Sequence, residues 1–233
     1  MEHEEQKRIW EEEHKAPLVL LQMDSDKVSS SVEEFFLWLK SKRSDLTKVI
    51  GVEMCCGKGR NTNWLAKQGI HMSGLDFSQT AIKVAKERAE KDSITQAQFF
   101  VHDVTESWPF KDESQDFVLD CFGSTDIESG ELRQKARTEM LRVLKPGGYI
   151  FLYLLSTEDE FHKEMIEKNP AHDAHAFYHI QTGKYEKTFS EEEVKNLFPT
   201  LKVLEVKRIK KLAEFFGKSY NCQHFWVVLE KQV

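Results

Sequence analysis

Residues Val52–Asn61 read VEMCCGKGRN, and the fold turns on how that stretch is parsed. It leaves an apolar strand, passes a turn with glycines at 57 and 59, and enters a segment of helical character. Glycines after a first strand let the backbone approach a ligand, and the helix that follows offers unpaired N–H groups. The stretch alone does not choose the ligand. Gly57, Gly59 and Thr62 fill the GxGxxG positions as Gly, Gly, Thr, an incomplete dinucleotide fingerprint, and the GxxxxGK[ST] phosphate loop is absent. The adjacent pair Cys55 and Cys56 raises a metal or redox reading. Neighbouring residues make a poor disulfide, however, and no CxxC spacing offers zinc a site.

The pattern around the turn fixes the fold class. Val49–Met54 reads as a buried strand, Asn61–Gln68 as a helix with Trp64 and Leu65 inward, and His71–Phe77 as a second strand. Ser78 caps a helix over Gln79–Lys91, and Gln96–Val104 is a third strand. A fourth strand covers Phe117–Phe122, a helix Glu131–Arg142, and the KPGG turn at Lys145–Gly148 leads into a fifth strand, Tyr149–Leu155. Strands and helices that alternate through short connections form a parallel sheet with right-handed crossovers. At the end, Ser190 caps a helix over Glu191–Phe198. Two strands follow, Leu201–Ile209 and His224–Lys231, with room for a turn of helix at Lys210–Lys218. Lacking a full crossover, that pair is expected to be antiparallel. The expected fold is thus α/β: a Rossmann-like, doubly wound, mostly parallel sheet of seven strands ending in an antiparallel hairpin.

Residues 1–233 are read as a single domain. Residues 1–47 form a helical lid, with a polar helix at Ile9–Lys15 carrying Trp10 and an amphipathic one at Ser29–Lys40. Residues 48–155 are the core, 156–188 a less regular insertion rich in histidine and aromatics, and 189–233 the last helix and hairpin. The 233 residues are 40% hydrophobic and 31% charged, with a net charge of -6 that speaks against a nucleic-acid binder. The basic run KRIKK, Lys207–Lys211, reads as a solvated strand end or turn. The charged N-terminus shows no secretory signal, and no apolar run approaches the ~20 residues of a membrane span. Cysteines at 55, 56, 121 and 222 read as reduced thiols, and the expected location is cytoplasmic.

Three carboxylates stand out by position. Asp76 ends the second strand, where a carboxylate can accept from ribose hydroxyls. Asp103 ends the third strand, within reach of a purine edge. Glu53 sits where strands carry apolar residues, which is costly without a partner. The segments VEMCCGKGRN, GLDFSQTAI, HDVTESWPF, DFVLDCFG and LKPGGYIFL, in that order, resemble the class I S-adenosylmethionine-dependent methyltransferases over Val49–Leu155. The small-molecule branch, similar to the thiopurine and tellurite-resistance methyltransferases, is the nearest, as Trp10 and the FSEEEVKNLFP helix suggest.

The resemblance implies S-adenosylmethionine as cofactor and S-adenosylhomocysteine as product. It places Glu53 near the methionine amino group and Cys55, Cys56, Gly57 and Gly59 in the loop under the methionine. Asp76 takes the ribose hydroxyls, Phe77 packs on adenine, and Asp103 and Val104 meet adenine's edge and amine. Asp120 and Cys121 lie beside the methyl group and substrate, and Trp10 belongs to the lid over the site. Cys55 stands where the family usually has glycine, which narrows the space beside the cofactor or shifts the backbone.

Asp120-Cys121-Phe122-Gly123 lacks the prolines of enzymes that methylate adenine or glutamine amides, and Cys121 lacks the Pro-Cys setting of a nucleophile. A small molecule or a peptide fragment is left as acceptor. His175 and His179 are four apart and would share a helix face; they are the candidate general bases. With Asp173 the same pair could form a zinc site, but no HExxH occurs, Pro170 and Gly183 suggest a loop with at most a short helix, and no metal is expected. The expected partner is a small-molecule substrate, without nucleic acid or membrane, on a monomer or homodimer. Two other readings stay open: a non-catalytic subunit that binds S-adenosylmethionine, and an NAD-type dehydrogenase.

Overall fold

A computed structural model describes residues 2–16 and 25–232. Residues 17–24, part of the expected lid, lie outside the described residues. Helices α1 (Glu2–Lys15) and α2 (Ser30–Lys42) lead into β1 (Ile50–Met54), α3 (Arg60–Lys67), β2 (His71–Asp76), α4 (Gln79–Lys91) and β3 (Ala97–Val101). Then come β4 (Gln115–Cys121), α5 (Gly123–Asp126), α6 (Gly130–Val143) and β5 (Leu144–Leu155). The chain continues through α7 (Glu160–Lys168), β6 (Ala176–Tyr178), β7 (Tyr185–Lys187), α8 (Glu191–Asn196), β8 (Lys202–Phe215) and β9 (Lys218–Glu230).

Seven strands form one sheet in the order β3-β2-β1-β4-β5-β9-β8. The first five run parallel, while β9 is antiparallel to both β5 and β8. Alternate residues of each strand feed two cores. Val52, Met54, Val118, Ile150, Leu152 and Val227 face one way, with Met140 of α6 and Val194 of α8. Phe117, Leu119, Phe151 and Trp226 face the other way, with Phe35 and Leu39 of α2 and Leu65 of α3. A slip of one residue would invert both sets, so burial on both faces fixes the register. The strand order reverses between β1 and β4, and the carboxyl ends of β1 to β4 open at that switch point, where ligands bind in sheets of this kind.

Several elements differ from the sequence expectations. Helix α1 begins at Glu2, well before Ile9, because its buried residues Gln6, Trp10, Glu13 and His14 are mostly polar and give no hydrophobic period. The expected irregular insertion contains α7, capped by Asp159, and a second two-stranded sheet of β6 and β7. Both were hidden by size: α7 buries only Phe161 and His162, and each strand has three residues. Lys210–Lys218 holds no helix. β8 pairs with β9 from Lys202 to Phe215, and the chain reverses at Phe216 and Gly217, with φ of 52° and 75°. Two successive left-handed residues match the twist of a tight hairpin. The KRIKK run lies along this edge strand, where lysines discourage strand addition.

Gly51 tests the packing. A Cβ there would stand 2.2 to 2.7 Å from ring atoms of Phe117, a fully buried side chain on the neighbouring strand. Phe117 is itself wedged against Phe35, 5.4 Å between ring centroids, so the ring has little room to yield. Gly51→Ala is expected to cost roughly 1–3 kcal/mol in urea unfolding, and an unchanged midpoint would contradict this packing.

Candidate functional site

The loop after β1 forms the floor. Cys55, Gly57 and Gly59 have φ of 50°, 52° and 74°, all left-handed. A side chain in that region costs roughly 1–2 kcal/mol, which is the physical reason for glycine there and makes Cys55 a strained exception. The space for its side chain comes from Gly123: a Cβ on Gly123 would lie 3.0 Å from Cys55 Cβ and 3.1 Å from Asp120 Oδ1. Burial and four nearby carboxylates, Asp76, Asp120, Asp126 and Asp103, push the Cys55 thiol well up. Cys56 turns away and packs with Ile82, Ala85 and Phe99, so it offers the site its backbone and not its thiol.

Glu53 is buried beneath this loop. It accepts hydrogen bonds from Asn61 Nδ2 at 2.8 Å and from the Thr62 hydroxyl, both in the first turn of α3. Asn61 Oδ1 in turn accepts from the Ser29 amide at 3.0 Å. The acid that the sequence left without a partner is therefore satisfied within the chain, and it pins the start of α3 to the end of β1.

Carboxylates form the walls. Asp76 accepts from the amides of Gly57 and Ser78, each at 2.9 Å. Burial raises its pKa, with His14 opposing. Asp103 meets His3 Nε2 at 2.7 Å and Lys7 Nζ at 3.3 Å, and accepts from the Thr105 amide and hydroxyl at 3.0 and 2.8 Å. Burial works against that charge, but the His3 and Thr105 bonds hold its pKa below the usual carboxylate range. Asp120 is fully buried and accepts from the Ser124 amide at 3.0 Å; burial lifts it to about 6. Phe77 is half-buried between Asp76 and the cap Ser78. Val104 lies in the core, and its carbonyl accepts from the Trp108 indole at 2.9 Å.

Helix α1 is the roof. His3 and Lys7 hold Asp103, and Glu11 accepts from the hydroxyls of Ser78 and Thr80. The His14 ring comes within 3.5 Å of where a Cβ on Gly57 would be. Gln6 fastens the helix to the insertion, donating to the Gly183 carbonyl at 3.0 Å and accepting from the Tyr185 amide at 2.9 Å. Lys184 Nζ lies 4.3 Å from the Trp10 ring centroid. Trp10 Nε1, His14 Nδ1 and Lys184 Nζ are buried with no hydrogen-bond partner among the described residues.

The histidines of the insertion are placed otherwise than on a helix face. His175 and His179 flank strand β6. His175 is exposed, with φ of 60°, and its Nδ1 meets Glu193 of α8 at 3.3 Å. His179 is buried, its Nε2 2.9 Å from Glu186. Glu186 also meets His162 at 3.5 Å, and His162 meets Asp159 at 2.7 Å. Burial lowers the His162 pKa and the two carboxylates more than reverse this, to about 9. Asp173 pairs with Arg133 at 2.6 Å, and His172 Nδ1 stands 3.1 Å from the Tyr178 hydroxyl. Among the described residues no three His, Cys, Asp or Glu converge as metal ligands. Cys121 has Ser31 Oγ at 3.9 Å, and burial pushes its thiol to about 12, as suits a packed thiol.

The structure thus gathers Cys55, Gly57, Asp76, Asp103 and Asp120 near one another, with Trp10 on the helix α1 that holds Asp103. It adds His3, His14 and Lys184, which motif reading passed over. The spacing of Trp10 and His14, one turn apart on a helix, was the available signal.

Residues 52–148 match a family described as methyltransferase domain. A demethylmenaquinone methyltransferase of Clavibacter sepedonicus is 32% identical over 124 residues, covering 52% of this chain and 48% of the relative. One from Staphylococcus haemolyticus is 34% identical over 126 residues, covering 52% and 50%. The chain spans about half the length of the curated relatives it matches. Among solved structures, an S-adenosylmethionine-dependent methyltransferase of Methanosarcina mazei superposes with a TM-score of 0.69 at 22% identity, covering 79% of this chain and 92% of that one. Residues 52–148 are thus similar to a methyltransferase domain, on the fold that solved S-adenosylmethionine-dependent methyltransferases share. The 1,6-didemethyltoxoflavin-N1-methyltransferase of Burkholderia thailandensis, whose structure holds its substrate and S-adenosylhomocysteine, shares the fold with a TM-score of 0.69 at 12% identity, covering 99% and 91%.

In this methyltransferase core, burial raises Glu53 from 4.5 to about 7, against the hydrogen bonds of Thr62 and Asn61. Between those values the folded chain keeps a proton that the unfolded chain releases. Stability should therefore fall as pH rises through this window. Glu53→Gln removes that dependence. The unfolding free energies of wild type and variant should diverge by up to about 1.4 kcal/mol per pH unit across the window, the wild type losing. Parallel profiles in urea titrations at stepped pH would contradict the protonated acid.

Proposed function

We propose that this chain transfers a methyl group from S-adenosylmethionine to a small-molecule acceptor. The observation that carries the reading is the pair of carboxylates Asp76, buried at the end of β2, and Asp103, partly buried just past the end of the adjacent β3, beside a loop of left-handed residues. The residues fit the cofactor chemically. Asp76 keeps acceptor capacity for ribose hydroxyls beyond its two amide bonds, and Asp103 offers acceptors to an exocyclic amine. The roof supplies buried polar atoms, Trp10 Nε1 and His14 Nδ1, that no described residue satisfies. When bound, the cofactor supplies an activated methyl group on a sulfonium. The chain's own work is then to hold the acceptor in line, exclude water, and take a proton where the acceptor releases one.

The division of labour follows from placement. Cys55, Gly57 and Gly59 line the cofactor side through their backbone, and Asp76, Phe77, Asp103 and Asp120 form its walls. Helix α1 with residues 156–188 is the lid and acceptor side of a single domain, while α2, expected in the lid, packs into the core. His14 lies too near Gly57 for a nucleoside to pass between them, so α1 moves aside for entry. Of the two candidate bases, buried His179 suits a site role better than exposed His175. The relatives named for demethylmenaquinone and the Burkholderia enzyme with its bound toxoflavin precursor support a small-molecule acceptor, and a net charge of -6 supports one other than nucleic acid. The four free thiols suit a reducing compartment, and we place the protein in the cytoplasm.

Calorimetry with S-adenosylmethionine and S-adenosylhomocysteine, followed by a methyl-transfer screen, tests this reading. Asp76→Ala should weaken cofactor binding by roughly 1–3 kcal/mol through lost charge-assisted bonds. Unchanged affinity would remove ribose from Asp76. Tight binding with no turnover on any acceptor class would favour a non-catalytic binding subunit instead.

A further inference from the structure

Lys184 is fully buried, directly after Gly183 and ahead of β7. Its ammonium lies over the Trp10 ring and makes no hydrogen bond among the described residues. The nearest carboxylate oxygen, Glu186 Oε1, is 3.8 Å away and already lies 2.9 Å from His179. Its other oxygen faces His162. An ammonium has three donors, and leaving all three unmet in a dry interior is among the costlier arrangements a fold can carry. A pair with one aromatic face recovers only part of that cost.

The surroundings indicate where a partner would sit. Trp10 Nε1 and His14 Nδ1 are likewise buried and unbonded, and the two rings lie 6.1 Å apart on the same helix. The charges of Lys184 are felt at His14 on the roof and at Asp126, which follows β4. Burial and the Glu186 charge push the Asp126 carboxyl well up, with the Lys184 charge opposing. Lys184 thus lies between Trp10 of α1 and Glu186 of β7, and Trp10 leads through His14 to Gly57 of the loop after β1. On the methyltransferase reading this is the acceptor side, apart from the adenosine side where His3 and Asp103 stand.

We propose that Lys184 is the residue that recognises the methyl acceptor, and that the acceptor carries an anionic oxygen, a carboxylate, phenolate or enolate, which the ammonium holds beneath Trp10. The assignment rests on the methyltransferase reading of the site. It makes Lys184 specificity-determining, with the aromatic face of Trp10 limiting how the anion can lie.

Two measurements test it. In the free protein, Lys184→Met should raise the melting temperature, because a methionine of similar length fills the site without an unbonded charge. A lower melting temperature would mark the ammonium as a structural counter-charge of Glu186 and overturn the proposal. In the presence of S-adenosylhomocysteine, calorimetry against a panel of aromatic and aliphatic acids, each beside its neutral amide, reads the second. Wild type should bind at least one acid tenfold or more above its amide; Lys184→Met should erase that preference and Lys184→Arg retain part of it. No acid preferred over its amide, or a preference that survives in Lys184→Met, would overturn the assignment. So would a tenfold loss of S-adenosylhomocysteine affinity in Lys184→Met, which would give the ammonium to the cofactor's own carboxylate. Failure of wild type to bind S-adenosylhomocysteine would instead sink the methyltransferase reading, a result separate from the acid preference.

Discussion

The bond between Glu53 and the first turn of α3 is the constraint on which the site depends. A carboxylate at the end of a buried strand must be bonded or neutralised. Here both happen: Asn61 and Thr62 satisfy its oxygens, and burial keeps it protonated to about 7. The loop between strand and helix is thereby closed to a fixed length. Its residues are driven into left-handed conformations at 55, 57 and 59, and the Gly57 amide is turned toward Asp76. Asn61 passes the same constraint on to α2 through the Ser29 amide. Helix α2 in turn is tied to the far side of the sheet, because the Trp226 indole donates to the Ser31 carbonyl at 3.0 Å. One acid therefore sets the floor of the opening and the seat of the second helix.

The roof obeys different physics. Helix α2 buries Val32, Phe35 and Leu39 and is part of the core. Helix α1 buries Gln6, Trp10, Glu13 and His14, and its grip consists of hydrogen bonds and ion pairs to Asp103, Ser78, Thr80 and the β6–β7 hairpin. Such contacts are worth little net, since water replaces them when the helix lifts. A helix held this way can leave its seat at modest cost, whereas α2 cannot. The difference in composition between two neighbouring helices is thus also a difference in mechanical role.

The sheet was legible because its strands are buried on both faces and read as near-continuous apolar runs between short helices. Asp76 was legible as the acid that closes the run Gly74-Leu75 at the end of β2, and Asp103 as the acid one residue past His102 after β3. What escaped the sequence had no periodicity to reveal it. Helix α1 extends back to Glu2 on a polar buried face, and α7 turns inward only two residues. The pairing of Glu53 with Asn61 and Thr62 depends on the tight loop between them, and the Cys55 side chain has room because Gly123, far away in sequence, carries none. A shared helix face for His175 and His179 is absent for a related reason. Four-residue spacing says nothing where a three-residue strand lies between the two.

The charge pattern of the site gives these parts a common logic. Asp76, Asp103, Asp120 and Asp126 all bear on Cys55, so the floor is strongly acidic. The positive groups that the roof and the hairpin bring are Lys7 on Asp103 and Lys184 near Asp126, while Arg137 bears on Asp120. With α1 seated, these cations neutralise part of the floor at short range, which a low-dielectric opening rewards. On the methyltransferase reading, the donor that enters beside Gly57 when α1 lifts is itself a sulfonium cation, drawn to the same acids, and α1 settles back so that Trp10 covers the acceptor held by Lys184. That reading keeps the two charges of a methyl transfer to an anion apart, acids below for the donor and an ammonium above for the acceptor.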